Sequence, residues 1–401
     1  MLTNRQLFLK HLGHTSDAPM MLEIVRAEGI YMYGPDGQKY IDLISGVSVS
    51  NTGHRHPKVV EAVKNQVDQY MHLMVYGEFI QNPQVRYAER LAEILPQVLN
   101  SCYFVNSGSE AVEGALKLAK RYTGKSRVIS FRNAYHGSTH GALSIQGSEV
   151  FRNAFRPLLP DTFQIGFNDE KSLSAIDKKT ACVIVEPVQG EAGIIYPEND
   201  FLLKLRKRCR TTGALLIFDE IQTGFGRLGQ MFAINRFEVV PDILLLAKAL
   251  GGGMPLGAFI SSREIMSALV SNPALGHITT FGGHPVCCAA GLASLNVIID
   301  EKLAENCNSK SDLFKEELKH PLISKIRGEG LLMAVQLSDP SYIQYVIAKA
   351  PDYGLVLDYF LFCDNAFRIA PPLIINEEEI CLAAGKLKQL LDAAVNNSNK
   401  K

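Results

Sequence analysis

From about residue 100 the chain alternates short apolar runs with segments of helical period. Residues 102–105, 127–131, 181–185, 214–218 and 243–247 are apolar runs bounded by polar or glycine-containing stretches, the mark of buried strands. Between the first two lies 109–122, where Val112, Ala115, Leu116 and Ala119 recur at helical spacing; 201–210 precedes the fourth run in the same way. Strands alternating with helices predict a mostly parallel sheet covered on both faces, with ligands gathered at the carboxyl ends of the strands. Ahead of this region, Pro35-Asp36-Gly37 separates two short alternating runs and predicts a hairpin. Pro57 opens a helix whose predicted face is Val60, Val63, Val67 and Tyr70. After about residue 290 the pattern becomes helices with short strands: 328–337 reads as a strand region and 377–396 as a terminal helix. The last residues, VNNSNKK, read as a frayed tail.

At 401 residues the chain exceeds one ordinary core. The expected division is a large domain over 55–290 and a smaller α+β domain built from 1–54 and 291–401. Lysine plus arginine and aspartate plus glutamate each number 41, and this neutral balance argues against a nucleic-acid partner. No run of about 18 apolar residues lacks a charge, so no membrane partner is expected; the nearest case, 243–260, is broken by Lys248. The N-terminus carries no signal-peptide pattern. The 8 cysteines form no C-x-x-C pair and sit mostly in apolar runs, which points to a reducing, cytoplasmic setting.

The candidate chemistry sits where the predicted strands end. Lys248 closes the apolar run Ile243-Leu-Leu-Leu-Ala and is followed by Ala-Leu and three glycines. Desolvation lowers an amine's pKa and makes it a nucleophile, although a strand-end lysine can also simply reach solvent. Asp219 ends Ala214-Leu-Leu-Ile-Phe, where a carboxylate can pair with a protonated ring nitrogen or cap a loop. Asn106-Ser107-Gly108-Ser109 lies between a strand and a helix, which makes both an anion site and an ordinary N-cap. It fits neither nucleotide-binding glycine fingerprint. Tyr135-His136-Gly137 follows another strand and offers an aromatic to a flat ligand or to the core. Glu186 and Glu191, in Glu186-Pro-Val-Gln-Gly-Glu191, place two acids near the same edge, unless both are solvated loop acids. His54 and His56 make an H-x-H pair without a third ligand, so no metal is expected.

Together these residues resemble the class III (ω-amino acid) aminotransferases, of pyridoxal-phosphate fold type I, over nearly the whole chain. The most specific segments are Phe218-Asp-Glu-Ile-Gln-Thr-Gly-Phe-Gly-Arg227 and Pro241-Asp-Ile-Leu-Leu-Leu-Ala-Lys-Ala-Leu-Gly-Gly-Gly253. The resemblance implies pyridoxal phosphate held as a Schiff base by Lys248, with Asp219 on its ring nitrogen and Gln222 on its phenolic oxygen. It also implies Ser107, Gly108 and Ser109 as the phosphate cradle, Tyr135 as the stacking aromatic, and His136 and Glu186 beside the cofactor. Thr280 matches a threonine that reaches the partner subunit's phosphate, which implies a homodimer with shared active sites. Arg368 resembles the arginine that binds a substrate carboxylate, and Glu191 the acid that pairs with it. The implied reaction is ping-pong transfer of an amino group from an ω-amino acid, such as an ornithine derivative, to an α-keto acid such as 2-oxoglutarate. An aminomutase, a decarboxylating enzyme or a non-catalytic binding protein on the same scaffold are the alternatives. One departure concerns the donor: many ornithine-type and acetylornithine-type members carry arginine in an aromatic-x-Gly-Arg-Thr segment, and here Ser138 stands in its place.

Overall fold

The computed structural model describes residues 2–398. Its centre is a seven-stranded sheet: β1 (Ser101–Val105), β2 (Arg127–Phe131), β3 (Thr162–Ile165), β4 (Thr180–Val185), β5 (Leu215–Asp219), β6 (Ile243–Leu246) and β7 (Gly257–Ser261). The strand order is β1-β7-β6-β5-β4-β2-β3. Only β7 runs against its neighbours, pairing antiparallel with both β1 and β6. Every residue of β4, β5, β6 and β7 is buried, as expected for strands covered on both faces. The helix Gly108–Thr123 covers one face with Val112, Ala115, Leu116 and Ala119, all at 2% exposure or less.

Two four-stranded sheets flank this centre. One joins Arg26–Glu28, Tyr31–Tyr33 and Lys39–Asp42 with Leu355–Val356, so chain from both ends meets in it. The 31–33 and 39–42 strands pair antiparallel around the predicted Pro35-Asp36-Gly37 turn. The other holds Ile323–Glu329, Leu332–Leu337, Asp358–Phe360 and Cys363–Ile369. The predicted strand region 328–337 is therefore a hairpin of two strands, turning at Gly330 and Leu331. One apolar cluster runs from the central sheet through Ile30, Ile41 and Leu43 to Leu387 and Leu391 of the terminal helix Glu377–Ser398. That helix takes in Val395 to Ser398 of the predicted frayed tail; the remainder lies outside the described residues.

The face predicted for the helix Pro57–Gln69 needs correction. Val59 and Gln66 are buried, whereas Val67 is 42% exposed. The sequence offers valines on two adjacent rows, and packing against the helix Pro285–Asp300 selects between them.

Arg227 locks the parts together. It is fully buried, and its Nη1 donates to the carbonyls of Leu331 (2.8 Å) and Pro371 (2.5 Å). Its Nη2 donates to Ser45 Oγ (3.1 Å) and to Asn51 Oδ1. Burial lowers its pKa to about 10, which still leaves it charged at neutral pH. Arg227→Met fills similar space but strands four buried acceptors. Thermal unfolding should show a loss of about 3 kcal/mol or more, a fall of several degrees in Tm. An unchanged Tm would mean that these four contacts do not stabilise the fold.

Candidate active site

The carboxyl ends of β1, β2, β4, β5 and β6 open onto one cavity of roughly 520 Å³. Ser107, Gly108, Ser109, Tyr135, His136, Glu186, Glu191, Asp219, Gln222 and Lys248 all line it. Five separate segments deliver them, each directly after or at the end of a strand.

Ser107 is the N-cap of the helix Gly108–Thr123, and its Oγ accepts from Glu110 N at 3.2 Å. Glu110 turns back to Asn106, accepting from its backbone N and its Nδ2, both at 2.8 Å. The ordinary cap and the exposed helix N-terminus thus coexist, and a helix N-terminus favours an anion. Ser109 Oγ accepts from Ser138 N at 3.3 Å. Gly137 permits that approach: its φ is +122°, and a Cβ there would stand 2.1 Å from Ser109 Oγ.

Asp219 is 4% exposed and holds a fixed orientation. Its Oδ2 lies 2.7 Å from His136 Nδ1, and its Oδ1 accepts from Ile221 N at 3.1 Å. Glu186 accepts from Tyr135 N and from Gly190 N, each at 2.9 Å. Burial pushes its pKa up to about 7. Gly190 matters for space, since a Cβ there would stand 1.9 Å from Gln222 Oε1. Two buried nitrogens of the lining, Gln222 Nε2 and His136 Nε2, have no hydrogen-bond partner among the described residues. The Gln222 amide nitrogen is a buried donor left open, which fits a ligand with an acceptor atom.

Lys248 follows β6 with φ +50°, an unusual backbone for a lysine. It keeps some exposure to the cavity, while its surroundings desolvate the ammonium and lower its pKa. Glu191, Asp219 and Glu186 partly oppose that shift.

Two predicted residues stand apart. Arg368 is 1% exposed and does not line the cavity; its Nη2 donates to Glu191 Oε1 at 2.6 Å, so Glu191 lies between it and the space. Thr280 is exposed and lies outside the cavity within one chain. His54 and His56 are held by acids instead of each other: His54 Nε2 is 2.9 Å from Asp42 Oδ2 and His56 Nε2 is 3.5 Å from Glu301 Oε1. Lining residues that sequence reasoning did not pick out are Val49, Val188, Thr223, Met254 and Leu256. Four of these are apolar loop residues without a chemical signature, and Thr223 lies within the Phe218–Arg227 segment with no role marked for it, so only the folded geometry identifies them as lining.

The family model described as Aminotransferase class-III matches residues 13–391. The acetylornithine aminotransferase of Methanopyrus kandleri is 40% identical over 389 residues, covering 96% of this chain and 97% of the relative. Among solved structures, the ornithine aminotransferase of Toxoplasma gondii superposes with TM-score 0.90 at 30% identity, covering 99% of this chain and 97% of that one. A transaminase from the marine bacterium Virgibacillus gives TM-score 0.92 at 29% identity, covering 98% and 99%. The chain belongs to the class III aminotransferases. It has their α/β transferase fold and is an enzyme of amino-group transfer. Among the described residues no helix is long and apolar enough to cross a membrane.

Proposed function

We propose that this enzyme moves an amino group from an ω-amino acid, an ornithine derivative or a similar donor, to an α-keto acid such as 2-oxoglutarate, using pyridoxal phosphate bound at Lys248. The observation that carries this reading is the convergence of ten expected residues on one cavity, with the buried Gln222 amide nitrogen left without a partner among the described residues. The relatives named for acetylornithine and ornithine support the donor class.

In this reading the helix N-terminus with Ser107, Gly108 and Ser109 holds the phosphate. Asp219 holds a proton on the ring nitrogen, and His136 and the Ile221 amide keep that carboxylate in place. Gln222 contacts the phenolic oxygen, Tyr135 packs on the ring, and Glu186 anchors the Tyr135 backbone. When bound, the cofactor supplies an electron sink for the carbanion left on the substrate. Lys248 anchors it covalently and then, as a free amine, carries the proton off the substrate carbon. Burial favours the neutral amine that this second task requires. Arg368 binds a substrate carboxylate once Glu191 releases it.

The active unit in this reading is a homodimer. The partner subunit's Thr280 completes the phosphate site. The apolar surface around it, with Met71, Leu73, Ile80, Ile278 and Phe281 all more than 40% exposed, supports a covered face. His72 and Phe281, with ring centroids 4.8 Å apart, join its two segments. The large domain spans 55–290 and the small one 1–54 with 291–401. Eight free cysteines support a cytoplasmic setting.

The test incubates cofactor-loaded protein with N-acetylornithine, ornithine or 4-aminobutyrate and 2-oxoglutarate. We expect glutamate to accumulate, with the visible absorbance of the bound cofactor bleached by the donor and restored by the keto acid. Return of the amine to the donor skeleton, or release of carbon dioxide, without glutamate would replace transfer by the aminomutase or decarboxylating reading.

A further inference from the structure

Arg368 meets more than Glu191. It lies on the strand Cys363–Ile369 and is the register partner of Asp358 on the neighbouring strand Asp358–Phe360. Its Nη1 is 3.6 Å from Asp358 Oδ2, and the Phe360 ring packs against the guanidinium with its centroid 4.7 Å away. Its Nη2 donates to Glu191, and its buried Nε has no partner among the described residues. Nε and Nη2 share one edge of the guanidinium plane, and such an edge grips a carboxylate with two parallel bonds. Glu191 occupies only half of it.

The two acids are tethered differently. Asp358 has a short side chain on a paired strand, and its Oδ1 accepts from Tyr359 N at 2.8 Å. Glu191 stands in the loop after β4 on a longer arm, with its Oε2 accepting from Leu361 N at 3.1 Å. Glu191 engages the Nη2 side of the guanidinium, and Asp358 faces Nη1.

We propose that Asp358 is a positioning residue for substrate carboxylates: it keeps Nη1 of Arg368 engaged, so the guanidinium holds its orientation while Glu191 yields the Nε and Nη2 edge. The inference rests on the reading of Arg368 as the carboxylate-binding residue. Charge decides little here. Asp358 repels an incoming carboxylate about as much as it repels the Glu191 carboxylate that is displaced, so the exchange leaves that term nearly unchanged. Orientation does not cancel, because a bidentate contact is lost with small rotations.

The test measures binding of glutarate, a dicarboxylate with no reactive group, to the cofactor-saturated enzyme by calorimetry, alongside KM for 2-oxoglutarate. Asp358→Asn should raise the glutarate Kd and the KM about tenfold, and Arg368→Gln about a hundredfold. The half-reaction with a primary ω-amine that has no carboxylate should keep its rate in Asp358→Asn, which a general loss of structure would not allow. Asp358→Glu again offers a carboxylate oxygen to Nη1 and should recover most of the affinity. If Asp358→Asn binds glutarate like the parent while Arg368→Gln does not, the proposal is overturned. If neither variant changes binding, the assignment of Arg368 itself fails.

Discussion

Lys248→Ala should lower the rate of amino transfer by about 10⁴-fold or more, because in the proposed reaction one amine serves as both anchor and proton carrier. The two roles separate experimentally. Loss of the anchor changes the visible absorbance of the cofactor-loaded protein before any donor is added. Loss of the proton carrier slows the half-reaction even when cofactor is fully bound. Lys248→Arg is the sharper probe, since it keeps the positive charge and most of the volume yet cannot deprotonate near neutral pH. It should be as inactive as the alanine variant. The surroundings of Lys248 support this split: burial lowers its pKa, while Glu191, Asp219 and Glu186 pull it back up. A Lys248→Ala enzyme retaining a tenth of the parent rate would remove Lys248 from the centre of the mechanism. The cavity would then need another nucleophile, and among the described residues its lining offers no second lysine or cysteine.

The parallel strands were legible because each is a short apolar run that ends at a residue of distinct chemistry. Lys248 and Asp219 stood out since a charge directly after such a run contradicts the run's own pattern. The antiparallel β7 was not legible. Its apolar residues continue the stretch that starts at Ile243, and its direction is set by pairing with β1, about 150 residues away. The edge strand β3 has mixed burial over only four residues, too little for a period to emerge. The contacts of Asp358 and Arg227 were not legible for a different reason. Their meaning lies in partners distant along the chain or on another strand, and an aspartate before an aromatic run has no local signature. Ser138 departs from the arginine that the family resemblance implies: its backbone N donates to Ser109 Oγ, and its Oγ sits 3.2 Å from Tyr135 Oη, so the position offers a hydroxyl in place of a guanidinium.

Asp219→Asn tests the electronic half of the site without altering its shape. The side chain is buried, and both oxygens are already engaged on the protein side, by His136 Nδ1 and the Ile221 amide. Asparagine fits the same space and can keep one of these contacts, so the fold and the affinity for the phosphate end should survive. What disappears is the negative charge that, in the proposed reaction, would hold a proton on the ring nitrogen. Removing one preorganised electrostatic partner in a water-poor site typically costs about 10²–10³-fold in kcat, and the upper end is expected here because the carboxylate acts on the electron sink directly. The loss should fall on kcat, with KM for the keto acid nearly unchanged, since Arg368 is untouched by the substitution. Asp219→Glu offers a contrast: it retains the charge but overfills a pocket closed by His136, so it should lose cofactor affinity first. An Asn variant with parent kcat would reduce Asp219 to a fixture for His136, and the ring proton would have to be held elsewhere.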